Sequence, residues 1–185
     1  MKVKNIIDED FTNYKKPSMF IGTSNCDFKC DKECGKPVCQ NSELAKAPTI
    51  EIDDNEIIKR FDNNSISEAI VIGGLEPFDT FDEVYDFINL FRKNHDNDIV
   101  IYTGYYPDEV EDKIFKMHFK NIIIKFGRFE PDRLHRFDKV LGIELASNNQ
   151  FAVTLENYYK YYKSLKKVSE FNRRFFKKYW RIVNE

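Results

Sequence analysis

The sequence predicts an α/β protein whose parallel strands, on the order of five or six, alternate with helices and form a partial, open barrel. Three observations carry this expectation. Short, wholly apolar runs recur along the chain, as in strands buried on both faces. Between them lie longer segments with apolar residues at helical spacing. Each apolar run closes on Gly, Ser or Thr, as strand-to-helix turns do. Ligands of such sheets sit at the carboxyl ends of the strands, and the distinctive residues of this chain fall there.

At 185 residues the chain can bury one full core. Charged residues make up 32% and hydrophobic residues 42%, a globular composition that excludes disorder as the main state. No segment reaches the roughly 18 uninterrupted apolar residues of a membrane span, and MKVKNIIDEDF lacks a signal-length apolar run. A cytoplasmic protein with no membrane partner is the expectation. Net charge is −2, unevenly spread: nine of the 29 basic residues but only one acid, Glu170, lie between Tyr158 and Arg181. Residues 1–150 are expected to form the domain, and 151–185 a basic, aromatic, helical extension.

The elements follow in order. PSMFIGTS (17–24) reads as a buried strand that delivers a cysteine loop. Ile50 to Asp62 has Asp53 or Asp54 as N-cap and EIIKRF at helical spacing. EAIVIGG (68–74) is a strand closed by two glycines, and FDTFDEVYDFINLFRKNH is an amphipathic helix. DIVIYTGY is the next strand, and PDEVEDKIFKMHF a helix started by Pro107. NIIIKFG and KVLGIELAS are two further strands, separated by the polar loop RFEPDRLHRFD.

All four cysteines, Cys26, Cys30, Cys34 and Cys39, lie in one short loop. In a reducing compartment such a cluster points to metal rather than to disulfides. Two chemistries compete. A four-thiolate zinc site is normally built from two CxxC-like knuckles, which this loop lacks. An iron–sulfur cubane held by three thiolates leaves one iron open for chemistry.

The loop, followed by a GG-x-EP turn after the next strand, resembles the radical S-adenosylmethionine superfamily. Within it the chain is most similar to the activating proteins of anaerobic ribonucleotide reductase. The matching pieces are GTSNC (22–26), CQN (39–41), GGLEP (73–77), YTGY (102–105) and SNNQ (147–150). Two departures matter. A strict C-x3-C-x2-C would place the third cysteine at position 33, which is Glu33. The resemblance favours Cys39 as third ligand, since Asn41 follows it and the apolar Val38 precedes it, with Cys34 as the alternative. GGLEP also carries an extra residue, Leu75, where the family has GGEP.

The resemblance implies a [4Fe-4S] cluster on Cys26, Cys30 and Cys39, with S-adenosylmethionine contacted by Val38, Gln40, Gly73, Gly74 and Glu76. It implies reductive cleavage of that cofactor to a 5′-deoxyadenosyl radical, with no catalytic acid or base beyond the cluster ligands. The implied partners are a glycyl-radical enzyme such as anaerobic ribonucleotide reductase and a flavodoxin- or ferredoxin-like electron donor. Thr103 and Ser147 are weaker candidates for ribose or adenine contacts. Two alternatives stay open: a radical enzyme acting on a small molecule or nucleotide, and a zinc-stabilised nucleic-acid-binding module. His95 and His118 read as helix-end residues and His135 as a solvated one. The aromatic tail reads first as an amphipathic packing helix, and only second as a nucleic-acid surface.

Overall fold

The β-branched runs in the middle of the chain pair side by side. The computed structural model describes residues 1–166, with side chains as far as Tyr161. Its strands are β1 (Lys2–Asp10), β2 (Ser18–Thr23), β3 (Ile50–Glu51), β4 (Ala69–Gly73), β5 (Asp98–Tyr102), β6 (Ile122–Phe126), β7 (Arg136–Asp138), β8 (Ile143–Leu145) and β9 (Phe151–Thr154). Its helices are α1 (Lys29–Cys34), α2 (Ser42–Lys46), α3 (Asp54–Asp62), α4 (Phe81–Phe91), α5 (Glu111–Ile114) and α6 (Leu155–Lys166). One seven-stranded sheet has the order β3-β1-β2-β4-β5-β6-β9, and β7 and β8 form a separate ribbon.

The α/β class is as expected, and the sheet is parallel at its centre, where β2, β4, β5 and β6 run the same way. The parallel part has four strands, fewer than the five or six expected. Antiparallel strands flank it on both sides: β1 against β2, β3 against β1, and β9 against β6. KVLGIELAS is not a strand of this sheet. The carboxylate of Asp138 accepts the backbone N–H groups of Val140 and Leu141, and Gly142 turns the chain at φ +72°. That turn breaks the run and pairs its second half with part of the expected polar loop. The polar N-terminal stretch, for which the sequence predicts no element, is β1, and its bulges disguise its alternation.

Because β2, β4, β5 and β6 are adjacent in chain order, each crossover advances in one direction. Crossovers of one hand then lay their helices on one face of the sheet. Met19, Ile21, Ile70, Ile72, Ile99, Ile101, Ile122 and Ile124 face that layer and pack on Ile57, Phe87, Phe91, Ile114 and Tyr158. The opposite face carries Val71, Val100 and Ile123, with Phe20 and Tyr102, under Tyr14, Leu141 and Leu145.

Local signals explain the helices. Asp53 caps α3, its carboxylate accepting the Asn55 N–H at 2.7 Å. The helix expected from Pro107 is a 3-10 turn over Pro107–Glu109, whose Glu109 carboxylate accepts the Tyr106 N–H, followed by the short α5. His95 stacks on Phe91 with centroids 4.4 Å apart, and His118 lies against Tyr159; each sits in the loop four residues beyond the end of its helix, not at the helix end expected. His135 is exposed. In α6, Leu155 and Tyr158 are buried, and the Tyr159 hydroxyl lies 2.7 Å from the carbonyl oxygens of both Ile114 and Met117, sharing its one proton between them. The basic tail beyond 166 lies outside the described residues. No helix among the described residues is long and apolar enough to cross a membrane.

Candidate metal centre

The loops at the carboxyl ends of β2, β4, β5 and β6 converge. The first holds the cysteines. Cys26 follows β2 and Cys30 lies in the first turn of α1; neither they nor Cys34 and Cys39 form a disulfide. After Cys34 the helix ends on Gly35 at φ +65°, a left-handed conformation glycine adopts at little cost. The chain then folds back, and one oxygen of Asp31 accepts the backbone N–H groups of Val38 and Cys39, each at 2.8 Å. The segment between Cys30 and Cys39 is thus a helical hairpin closed by Asp31, and it returns Cys39 toward the first two cysteines.

All four cysteines are half-buried. Burial pushes the Cys26 thiol up to about 12; the Phe28 N–H, donated to its sulfur at 3.3 Å, opposes this, and Glu76, Asp79 and Cys39 add to it. Burial also raises Cys30, against a hydrogen bond from the Phe129 N–H, with Cys39 raising it and Lys125 and Arg128 lowering it. Cys39 therefore sits within electrostatic reach of both. Cys34 is one turn beyond Cys30, on the same side of α1.

Charge pairs fix α1 over the strand ends. Arg128, 3% exposed after β6, donates from both terminal nitrogens to the Glu109 carboxylate, and lies 3.3 Å from Glu33. Glu109 also meets Lys29 at 3.7 Å, and the Lys29 ammonium sits 4.2 Å from the centre of the Tyr105 ring. Glu33, the residue standing where a strict spacing would put a cysteine, is thus one anchor of the hairpin. Although burial opposes it, the Glu109 carboxyl is held below its usual range by Arg128, the Tyr106 N–H and Lys29.

Glu76 ties three loops together. Its backbone N–H donates to the Asn25 carbonyl at 2.8 Å. One carboxylate oxygen accepts from Thr103 Oγ1 at 2.7 Å and the Phe78 N–H at 3.1 Å, and the other from the Gly104 N–H at 2.8 Å. Burial still pushes the carboxyl up to about 7. A carboxylate has about four lone-pair sites, so one remains open to a further donor. Gly73 and Gly74 lie beside it. A Cβ on Gly74, at φ +80°, would stand 2.8 Å from the Leu44 side chain of α2 and 3.2 Å from the Gly22 Cα. Packing inside the chain therefore already requires glycine there.

The remaining sequence candidates are also located. Val38 is half-buried and Gln40 exposed, both next to Cys39. Ser147, fully buried, accepts from the Glu130 N–H, and its neighbour Asn149 donates to the Arg128 carbonyl at 2.7 Å. Sequence reasoning missed Asp31, Asp79, Glu109, Arg128 and Lys125. Asp79 accepts from the Tyr105 hydroxyl at 2.6 Å and the Asp27 N–H at 2.9 Å. Lys125 alone left a trace, as the single charge in an isoleucine run.

Free, half-buried thiols gathered at the carboxyl ends of parallel strands, with backbone N–H groups aimed at two of the sulfurs, are a donor set that fits an iron–sulfur cluster. The fold and the site define an α/β iron–sulfur protein. The chain belongs to the 4Fe-4S single cluster domain family, whose model matches residues 17–150, and this family is found in radical S-adenosylmethionine-type proteins. No curated protein and no solved structure matches the chain.

Proposed function

We propose that the chain is a radical S-adenosylmethionine enzyme of the glycyl-radical activating type, and that its sheet is the open barrel of that superfamily. The observation that carries the reading is the Asp31-closed hairpin, which folds an eight-residue interruption so that Cys39 returns toward Cys26 and Cys30. Cys26, Cys30 and Cys39 would hold the cluster. The reduced cluster, when bound, would supply the electron that splits the sulfonium C–S bond of S-adenosylmethionine, leaving methionine and a 5′-deoxyadenosyl radical.

The chain's own share is binding, orientation and exclusion of water. Glu76 has one acceptor site left for the ammonium of the methionine moiety, beside the backbone of Gly73 and Gly74. Val38 and Gln40, beside Cys39, would flank that moiety from the third-cysteine side. The hairpin, pinned by Arg128, Glu109 and Lys29, would fold over the bound cluster and limit its contact with water. The hydrogen-atom donor would be a glycine of a glycyl-radical enzyme such as anaerobic ribonucleotide reductase, with a flavodoxin- or ferredoxin-like electron donor.

The test is anaerobic reconstitution with iron and sulfide, followed by reduction with S-adenosylmethionine present. 5′-Deoxyadenosine is the expected product, and a glycyl radical should follow on adding the partner. A colourless, zinc-loaded protein that forms no 5′-deoxyadenosine would overturn the reading.

A further inference from the structure

Lys125 is a charge placed where the fold has no need of one. It lies in β6 on the face opposite the helices, two residues beyond Ile123, and pairs in register with Tyr102. It is 7% exposed. Its ammonium has three N–H donors, and its hydrogen bond runs to the Gly127 carbonyl at 3.0 Å. Among the described residues it forms no ion pair. A buried, unpaired ammonium is costly in a folded protein, and a leucine or methionine would fill the space without that cost.

The direction of the side chain indicates its counter-charge. The Gly127 carbonyl to which it donates lies toward the strand end, beyond which Arg128 packs beside Gly104 and the Phe129 N–H reaches Cys30. The space around Gly104 brings together Cys30 Sγ, Glu76 Oε2 and Arg128 Cγ, between 3.5 and 3.8 Å from the position of a Cβ there. Of the nearby cations, Arg128 is already neutralised by Glu109 and Glu33. Lys125 has no ion pair among the described residues; the centre of the Tyr102 ring lies 5.8 Å from its ammonium, and the Glu76 carboxyl is within electrostatic reach of it. The Cys30 sulfur also lies within electrostatic reach of Lys125.

We infer that Lys125 is the buried counter-ion of the iron–sulfur cluster, a positioning residue that raises its reduction potential by stabilising the extra electron of the reduced state. The inference rests on the cluster-binding reading above. A cubane in its 2+ state held by three thiolates carries one net negative charge, and reduction makes it two. A fixed cation in a poorly solvated site stabilises the second state more than the first. Lys125 would thereby ease reduction by a physiological donor.

The experiment compares the full-length wild-type, Lys125→Met and Lys125→Arg proteins. Thermal unfolding is measured before iron loading, and the cluster midpoint potential after reconstitution, by titration followed by electron paramagnetic resonance. Lys125→Met should be at least as stable as wild type without metal. Its cluster should load fully yet be reduced at a potential lower by 59 mV or more, a tenfold change for a one-electron couple. Lys125→Arg should restore the wild-type potential. Equal potentials in all three proteins would overturn the inference while leaving the cluster in place. A metal-free Lys125→Met protein of reduced stability, with an unshifted potential, would assign Lys125 a structural role instead. Failure of the wild type to load iron would count against the cluster reading itself.

Discussion

The two faces of the central sheet follow different rules. The helix-covered face is aliphatic and aromatic throughout, and its largest side chains, among them Phe87 and Phe91, are wholly buried. The opposite face and the strand ends above it bury Glu76, Lys125, Arg128, Asp138 and Asn149, most of them held by hydrogen bonds to loop backbone. The first face lowers free energy by removing apolar surface from water. The second spends part of that gain on polar groups that orient a site.

Substitutions on the two faces should therefore separate cluster binding from stability. The largest effect is expected at the third ligand. Cys39→Ala should abolish the [4Fe-4S] absorption and iron content while leaving metal-free unfolding near the wild-type temperature, and Cys34→Ala should retain the cluster. The reverse result would move the third ligand to Cys34. On the helix face, Phe87→Ala should cost about 3–5 kcal/mol in denaturant unfolding, as for other buried phenylalanines. The protein that still folds at low temperature should bind iron at wild-type stoichiometry, whereas loss of iron from folded protein would blur the distinction.

A subtler effect comes from Glu76. Its folded carboxyl titrates at about 7, above the ordinary 4.5, because burial disfavours the charge. A raised acid pKa means the unfolded chain ionises first. The contribution of Glu76 to stability is thus complete below pH 4.5 and is lost as the pH rises to about 7. The change is on the order of 3 kcal/mol. The gap in unfolding free energy between wild type and Glu76→Gln should narrow or invert from pH 4.5 to 7.5 in the metal-free protein. A gap that stayed constant would mean that Glu76 is ionised in the fold throughout.

The face that follows simple burial was the one legible in the sequence. AIVIG, DIVIY and IIIKF declare themselves as strands because every residue in them is apolar or nearly so, and Asp53 announces α3. The cysteines and the GGLEP turn were visible as residue types in order. What was hidden depends on contacts between distant residues. The alternation of β1 is interrupted by shifts between Val3 and Asn5 and between Ile7 and Asp10. The β7–β8 ribbon depends on one carboxylate, Asp138, capturing the next turn and the Ala152 N–H. The network of Arg128, Glu109, Lys29 and Glu33 joins three loops far apart in sequence, and no local pattern encodes it. The interruption between Cys30 and Cys39 was legible as inserted residues, but its fold was not, since it turns on Asp31 reaching two N–H groups beyond Gly35.

The central claim is that the hairpin gathers three thiolates around a cluster with one open iron. Electron paramagnetic resonance of the anaerobically reconstituted, reduced protein, with and without S-adenosylmethionine, tests it most directly. A reduced-cubane signal that changes when the cofactor is added is the predicted result. A cubane signal indifferent to the cofactor, or no signal from a protein loaded with zinc, would contradict it.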